Sequence, residues 1–363
     1  MTALLPTGFR DRLPPHADQA ALVEARMLEA ARLHGYERAD PPLAEFADAL
    51  GSRLKAGALR QAVRFVDPVS QATLAIRPDL TAQIARIAAT WMGHHPRPVR
   101  LSYAGPVLRL RGRELDPARE QRQIGCELIG LDTVAAAREV VSVAVDALEA
   151  AGVEGVSIDF TLPDLVETLA GSLPVDDMGA LRERLDAKDA GAVAQIAPAY
   201  LPLIEAAGPF ERALPRLRAF DAAGALASRL DGLAAIVEAV GGRVGVTLDP
   251  TERHGFEYQT WLGFSLFARG ARAEIGRGGT YTILHESGAE EPATGVSLYP
   301  DLLPVAPGPD ARRRLFVPFG APPGAAAAMR SAGWVTVAAL EPGDTAEAQL
   351  CTHVLVDGEA RAL

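Results

Sequence analysis

Four groups of side chains in this chain have the types and spacing to hold a small charged molecule. The most informative is QRQIGCELIG, residues 121–130. Read as a strand, it places Ile124, Cys126 and Leu128 on one face and Gln123, Gly125, Glu127 and Ile129 on the other. An amide and a carboxylate then flank a glycine, each about 7 Å from it along the strand. A strand-interior glycine marks the close approach of a ligand or of another backbone. The pattern leaves two readings: a solvated outer face, or a floor for a small amphoteric molecule.

Arg77, Asp79 and Thr81 form a second group at a strand-to-helix junction, where helix capping is the competing explanation. Arg109 and Arg111 share one strand face, for which an exposed edge is the competing explanation. In GFEYQTWLGF, Glu257 and Gln259 share one face and Tyr258 and Thr260 the other, which also fits an ordinary sheet strand. No standard catalytic signature accompanies them. GRGGTY lacks the GK[ST] of a phosphate loop. No histidine pair has metal-ligand spacing, and no G-x-S-x-G elbow occurs, so neither a metal nor a cofactor is expected.

Bulk properties narrow the class. The chain has 363 residues, 48% of them hydrophobic, a net charge of −10 and a sequence pI near 5.3. That acidity argues against a general nucleic-acid binder. The only lysines are Lys55 and Lys188. Two distant cysteines, Cys126 and Cys351, give no disulfide framework. Without a signal-peptide core or an 18-residue apolar run, a cytoplasmic, soluble protein is expected.

These side chains need strands and helix starts to position them. Periodicity predicts helices over Ala17–His34, from Asp79 through Trp91, and over Val134–Ala150. It also predicts a short helix in LAEFADAL and a hairpin over Ala62–Ile76. RPVRLSYAGPVLRLR reads as two strands, Val99–Tyr103 and Pro106–Arg111, with a glycine break. Val156–Phe160 alternates as a strand. Residues of about 162–242 form a helical insertion. Strands return in GRVGVTLDP, GFEYQTWLGFSLFA and ARAEIGRGGTYTIL, and ATGVSLYPDLL closes as a short helix or turn. Residues 1–305 make the main domain, and residues 313–363 a miniature α/β unit. The class is α+β with a mostly antiparallel sheet flanked by helices.

In order and spacing, these pieces resemble class II aminoacyl-tRNA synthetases of the histidyl branch over about residues 5–303. The subgroup they most resemble is that branch's non-aminoacylating paralogue, the regulatory subunit of ATP phosphoribosyltransferase. LLPTGFRDRLPP resembles the family's opening and HGYERADPP its motif 1, a dimer-interface region. IRPDLTAQIARI resembles the LRP-[DE]-x-T signature. GPVLRLR with QRQIGCELIG resembles motif 2, and GFEYQTW the RGLDYYT histidine-recognition segment. The resemblance implies a histidine pocket of Asp79, Thr81, Arg109, Gln123, Glu127, Glu257, Tyr258 and Gln259. Gln259 departs from the second tyrosine of that segment.

Other departures bear on catalysis. Arg111 replaces the glutamate of Arg-x-Glu, and Asp116 and Pro117 replace a Gly-Arg pair. His254 stands at the catalytic arginine, beside Arg253. Thr280 stands at the arginine of GGRYDG, and Tyr299 and Leu302 at the glycine and arginine of motif 3. Adenylate formation depends on cations around the phosphoryl centre, so a site without them implies no catalytic residues. The short C-terminal unit argues further against tRNA. The resemblance thus implies a homodimeric regulatory subunit that binds the short-form catalytic subunit in a hetero-octamer, with L-histidine as effector and with neither tRNA nor membrane as a partner. A divergent histidyl-tRNA synthetase or amino-acid-activating ligase, and a purely structural activator, stay open.

Overall fold

The computed structural model describes residues 4–51, 61–112, 117–253, 259–304, 313–322 and 324–363. The chain divides into two compact units, Met1–Val305 and Ala306–Leu363.

The first unit opens with α1 (His16–Leu33), whose stripe Val23, Met27, Ala30 and Ala31 is buried. β1 (Glu37–Arg38) and β2 (Ala44–Phe46) follow, then α2 (Ala47–Gly51). The LAEFADAL stretch is thus half strand and half helix, because Ala44–Phe46 pairs with β4 (Thr73–Ile76). β3 (Val63–Val66) also pairs antiparallel with β4, giving the expected hairpin. α3 (Thr81–Ala89) stops before Trp91, which is 76% exposed and so leaves the predicted apolar stripe.

The two strands expected in residues 99–111 are one continuous strand, β5 (Val99–Leu108). Gly105 does not break it. A Cβ there would lie 2.3 Å from the Arg77 guanidinium, so the glycine is a slot for a side chain from elsewhere. β6 (Glu120–Ile129) pairs with β5 along its whole length. α4 (Val134–Ala150) is capped by Thr133, whose hydroxyl accepts from the Ala136 N–H at 3.2 Å. β7 (Val156–Thr161) leads into a helical block: α5 (Leu165–Leu169), α6 (Met178–Asp186), α7 (Ala190–Ile196), α8 (Pro202–Glu205), α9 (Phe210–Phe220) and α10 (Ala227–Val240). A two-residue strand, β8 (Gly208–Pro209), hooks that block to β9 (Gly245–Leu248). β10 (Gln259–Ala268), β11 (Gly276–Leu284) and β12 (Glu290–Leu298) complete the unit. ATGVSL is therefore the end of a full strand, and only Pro300–Leu302 form a turn of 3-10 helix.

Nine strands form one sheet in the order β1-β5-β6-β12-β11-β10-β7-β9-β8. The six from β5 to β7 run antiparallel. One face is apolar. Ile124, Cys126 and Leu128 of β6 join α1, α4 and the helical block in one continuous core. On the opposite face, α3 covers Leu101, Tyr103, Ile129, Tyr281 and Ile283. Antiparallel pairing sets side chains of directly opposed residues on the same face. The row Glu127, Gly295, Gly279, Gly263 therefore crosses four strands with three glycines beside one carboxylate. β2, β3 and β4 form a separate three-stranded sheet.

The second unit holds β13 (Arg314–Val317), α11 (Ala325–Ser331), β14 (Val335–Ala338), β15 (His353–Val356) and β16 (Glu359–Ala362). Its order is β14-β13-β15-β16, parallel except for the last pair. β16 is not anticipated from the sequence. Its signal is Asp357-Gly358, both at positive φ (51° and 83°), the two-residue hairpin turn that Asp-Gly favours. Among the described residues, no helix is long and apolar enough to cross a membrane.

Candidate functional site

The site is built on β6 at the edge of the α3-covered face. Gln123, Gly125 and Glu127 stand opposite Gly105, Tyr103 and Leu101 of β5, and Gly125 and Glu127 stand opposite Ser297 and Gly295 of β12. What lies over Gly125 is Tyr103. A Cβ at residue 125 would meet the Tyr103 hydroxyl at 2.3 Å and the Val296 carbonyl at 2.4 Å. The glycine thus admits a phenol, and the flanking polar face is buried, with Gln123 0% and Glu127 1% exposed. A solvated outer face is ruled out.

Glu127 is the centre of the arrangement. Tyr103 donates to its Oε1 at 2.9 Å and Tyr281, from β11, to its Oε2 at 2.8 Å. Tyr281 reaches it across Gly295, where a Cβ would fall 1.5 Å from Oε2. The Tyr103 hydroxyl also lies 3.3 Å from Thr81 Oγ1 and 3.2 Å from Ser297 Oγ. Gln123 receives the Leu80 N–H on its Oε1 (3.0 Å) and donates through Nε2 to Asp79 Oδ2 (3.0 Å) and Ser297 Oγ (2.7 Å). Asp79 Oδ1 accepts the Thr81 N–H at 2.7 Å, so the capping contact at the start of α3 exists and is part of the same network.

Burial pushes the Glu127 carboxyl up to about 8, opposed by the Tyr281 and Tyr103 hydrogen bonds and reinforced by the nearby Asp79 charge. Tyr103 is raised too, first by burial and then by the charge of Glu127. Two carboxyls, two phenols, an amide and two hydroxyls thus converge, and among the described residues no cation hydrogen-bonds to either carboxyl. Such a set suits a ligand that brings positive N–H donors, an ammonium or an imidazole. Gln259 stands opposite Tyr281 on β10, its Oε1 buried and without a hydrogen-bond partner among the described residues.

The structure brings Asp79, Thr81, Gln123 and Glu127 into one hydrogen-bonded network, with Gln259 beside it. It does not bring in Arg109. That guanidinium donates to Gln121 at 3.2 Å and lies over the Tyr299 ring at 5.6 Å. Gln121 shares a face of β6 with Gln123, two residues away, so Arg109 lies toward the Gln123 end of the network and away from Glu127. Gln121 lines a cavity of about 590 Å³ with Phe9, Arg10, Arg272, Asp301 and Leu303. Glu257 and Tyr258, with Asp116 and His254, lie outside the described residues. Tyr103, Tyr281, Ser297 and Gly295 are site residues that the sequence did not reveal. Ser297 sat in a stretch expected to be turn. Among the described residues, no group of three His, Cys, Asp or Glu side chains could hold a metal.

Comparison with known proteins agrees with this architecture. The family model described as histidyl-tRNA synthetase matches residues 8–303. A relative from Paramagnetospirillum magneticum, named ATP phosphoribosyltransferase regulatory subunit, is 46% identical over 97% of this chain and 96% of its own length. A relative of the same name from Rhodospirillum centenum is 44% identical over 99% and 96%. A crystal structure from Bacillus halodurans, titled an ATP phosphoribosyltransferase regulatory subunit/histidyl-tRNA synthetase, superposes with a TM-score of 0.81 at 23% identity, covering 96% of each chain. Histidyl-tRNA synthetase from Nostoc shares the fold with a TM-score of 0.75 at 15% identity, over 98% of this chain and 91% of that one. With near-full-length identity above 40% and a synthetase-type α+β sheet carrying the buried acidic pocket, the chain belongs to the ATP phosphoribosyltransferase regulatory subunit family, built on the histidyl-tRNA synthetase fold.

Proposed function

We propose that this chain is a non-aminoacylating, cytoplasmic regulatory subunit of histidine biosynthesis. It forms a homodimer and joins the short-form ATP phosphoribosyltransferase catalytic subunit in a hetero-octamer. It activates that subunit and conveys feedback by L-histidine held at Asp79, Thr81, Gln123, Glu127 and Gln259.

The observation that carries this reading is the contrast between the acidic pocket and the positions that resemble the synthetase's phosphate-binding cations. The acidic pocket around Glu127 is buried, with a phenol donating to each carboxyl oxygen. The positions that resemble the synthetase's phosphate-binding cations hold other groups. Thr280 is buried and its hydroxyl is taken up by Thr260 (2.7 Å) and the Leu262 N–H (3.2 Å). Leu302 occupies the turn after β12, beside Asp301, a carboxylate on the cavity wall. Histidine bound without chemistry acts as a signal only if the complex has two states of unequal histidine affinity.

ATP–pyrophosphate exchange with histidine is the direct test. The expected result is no exchange above the no-enzyme rate, together with calorimetric binding of histidine to the complex with its catalytic subunit. Robust exchange would establish an active synthetase-like enzyme instead. Absence of binding at millimolar histidine would leave only a structural activator. Within the pocket, Tyr281→Phe removes the donor to Glu127 Oε2. One unsatisfied buried acceptor costs about 1–3 kcal/mol, so histidine affinity is expected to fall roughly tenfold. An unchanged dissociation constant takes Tyr281 out of the site.

A further inference from the structure

Arg77 has a role that ligand contact does not explain. It is 3% exposed, two residues before Asp79, and its hydrogen bonds go to backbone carbonyls and one amide. Nε donates to the Pro106 carbonyl at 2.8 Å, and one terminal nitrogen to Pro41 (2.7 Å), Pro42 (3.4 Å) and Gln83 Oε1 (3.4 Å). The fixed fork of a guanidinium suits several acceptors held at set angles. Its other nitrogen fills the slot at Gly105, which is opposite Gln123 in the sheet. The Arg77 main chain also bridges elements: its N–H donates to the Leu43 carbonyl and its carbonyl accepts the Leu108 N–H.

The same segment is gripped a second time. Gln83 donates to the Pro42 carbonyl (2.8 Å) and to Glu45 Oε1 (2.9 Å), and Arg86 makes a two-point ion pair with Glu45. Glu45 belongs to β2, the edge of the three-stranded sheet, and Gln83 and Arg86 belong to α3, which opens beside Asp79. The pocket wall, the pocket floor and the residue 41–46 segment therefore meet at one buried cation. Phe46, Phe65 and Val66 of the three-stranded sheet, and Val69 in the turn between β3 and β4, are exposed to solvent.

We propose that Arg77 is a positioning residue that couples the pocket to the Pro41–Phe46 segment, so that a ligand entering the pocket is read as tighter holding of the three-stranded sheet. A ligand that draws Asp79 and Thr81 inward moves the start of α3 and the Arg77 main chain with it. The fork on Pro41, Pro42 and Pro106 then passes that displacement to β2. The inference rests on the reading of the pocket as a histidine site.

Hydrogen–deuterium exchange of the full chain, with and without saturating L-histidine, tests both separately. In the unaltered protein, amides of residues 79–81 and 121–129 are expected to slow, and those of 43–46 and 73–76 to slow about tenfold with them. Arg77→Lys keeps the charge but loses the fork. It is expected to keep the slowing at 79–81 and 121–129 while the histidine-induced change at 43–46 drops below about twofold. A merely structural Arg77 gives faster exchange at 43–46 in the free variant but an unchanged histidine-induced ratio, and that result overturns the proposal. Slowing confined to the pocket segments of the unaltered protein overturns it as well, and leaves the pocket reading intact. No slowing at 79–81 and 121–129 sinks the pocket reading, and the coupling falls with it.

Discussion

Glu127→Gln is expected to lower histidine affinity about 100-fold and, at the same time, to raise the melting temperature of the unliganded protein. The two effects come from one property, a carboxylate held in a dry site. A cationic ligand that draws the proton off Glu127 on binding loses a charged acceptor in the variant, and charge-assisted hydrogen bonds are worth roughly 1.5–3 kcal/mol. The amide keeps the side-chain shape, and the Tyr103 and Tyr281 hydroxyls can rotate to suit it. The stability effect follows from linkage. The carboxyl moves from 4.5 to about 8 on folding, first because of burial. The folded state therefore binds more protons than the unfolded chain across that window, so stability falls as pH rises from the unfolded value through about 8. The favourable contribution of the protonated group is fully present below 4.5 and gone above about 8, where an ionised Glu127 costs several kcal/mol. Glutamine carries no such dependence. Thermal unfolding at pH 5 and pH 9 should show the variant's advantage widening at the higher pH. A constant difference would mean that Glu127 is not strained by burial.

The second large effect is expected from Gly295→Ala. Its Cβ falls 1.5 Å from Glu127 Oε2. Gly295 pairs on both sides, with Gly279 of β11 and Glu127 of β6, so the backbone has no direction in which to yield. The carboxyl must leave the Tyr281 hydroxyl instead. Overpacking a well-filled site costs about 1–3 kcal/mol, and a displaced, unpaired carboxylate adds to it. Histidine binding is expected to become undetectable by calorimetry, and chemical denaturation to shift to lower denaturant. Combining Gly295→Ala with Glu127→Ala removes the clash. The double variant should be more stable than the sum of the two single changes implies. Histidine affinity near that of the parent in Gly295→Ala would show that the ligand does not use Glu127.

How much of this was legible in the sequence depended on how local each cause is. The limits of α4 follow from its own stripe, Ala137, Val140, Val141, Ala144 and Leu148, and from the stop at Gly152. The β3–β4 hairpin follows from alternation around a turn. Gly105 looked like a strand break because its reason, the Arg77 guanidinium, comes from 28 residues away in sequence. Trp91 extended an apolar period past the end of α3, since spacing alone does not report where the core stops. In the site, Asp79, Thr81, Gln123 and Glu127 sit in short runs whose geometry is set within two elements. Tyr103, Tyr281, Ser297 and Gly295 join them only through the register of β5, β6, β12 and β11. Register is a non-local property, so those four were hidden.

The helical block of α5–α10 was expected as an insertion, a word that suggests an appendage. Its buried residues, among them Leu181, Val193, Tyr200, Leu217, Leu233 and Ile236, belong to the same apolar cluster as β6, β12 and α4. β8 adds a main-chain tie at the sheet's edge. A block joined in this way does not melt alone, because exposing its inner surface strips the back of the sheet that carries Glu127. The block and the sheet thus form one cooperative folding unit. Damage anywhere along those helices reaches the pocket as lost global stability rather than as a local change of shape.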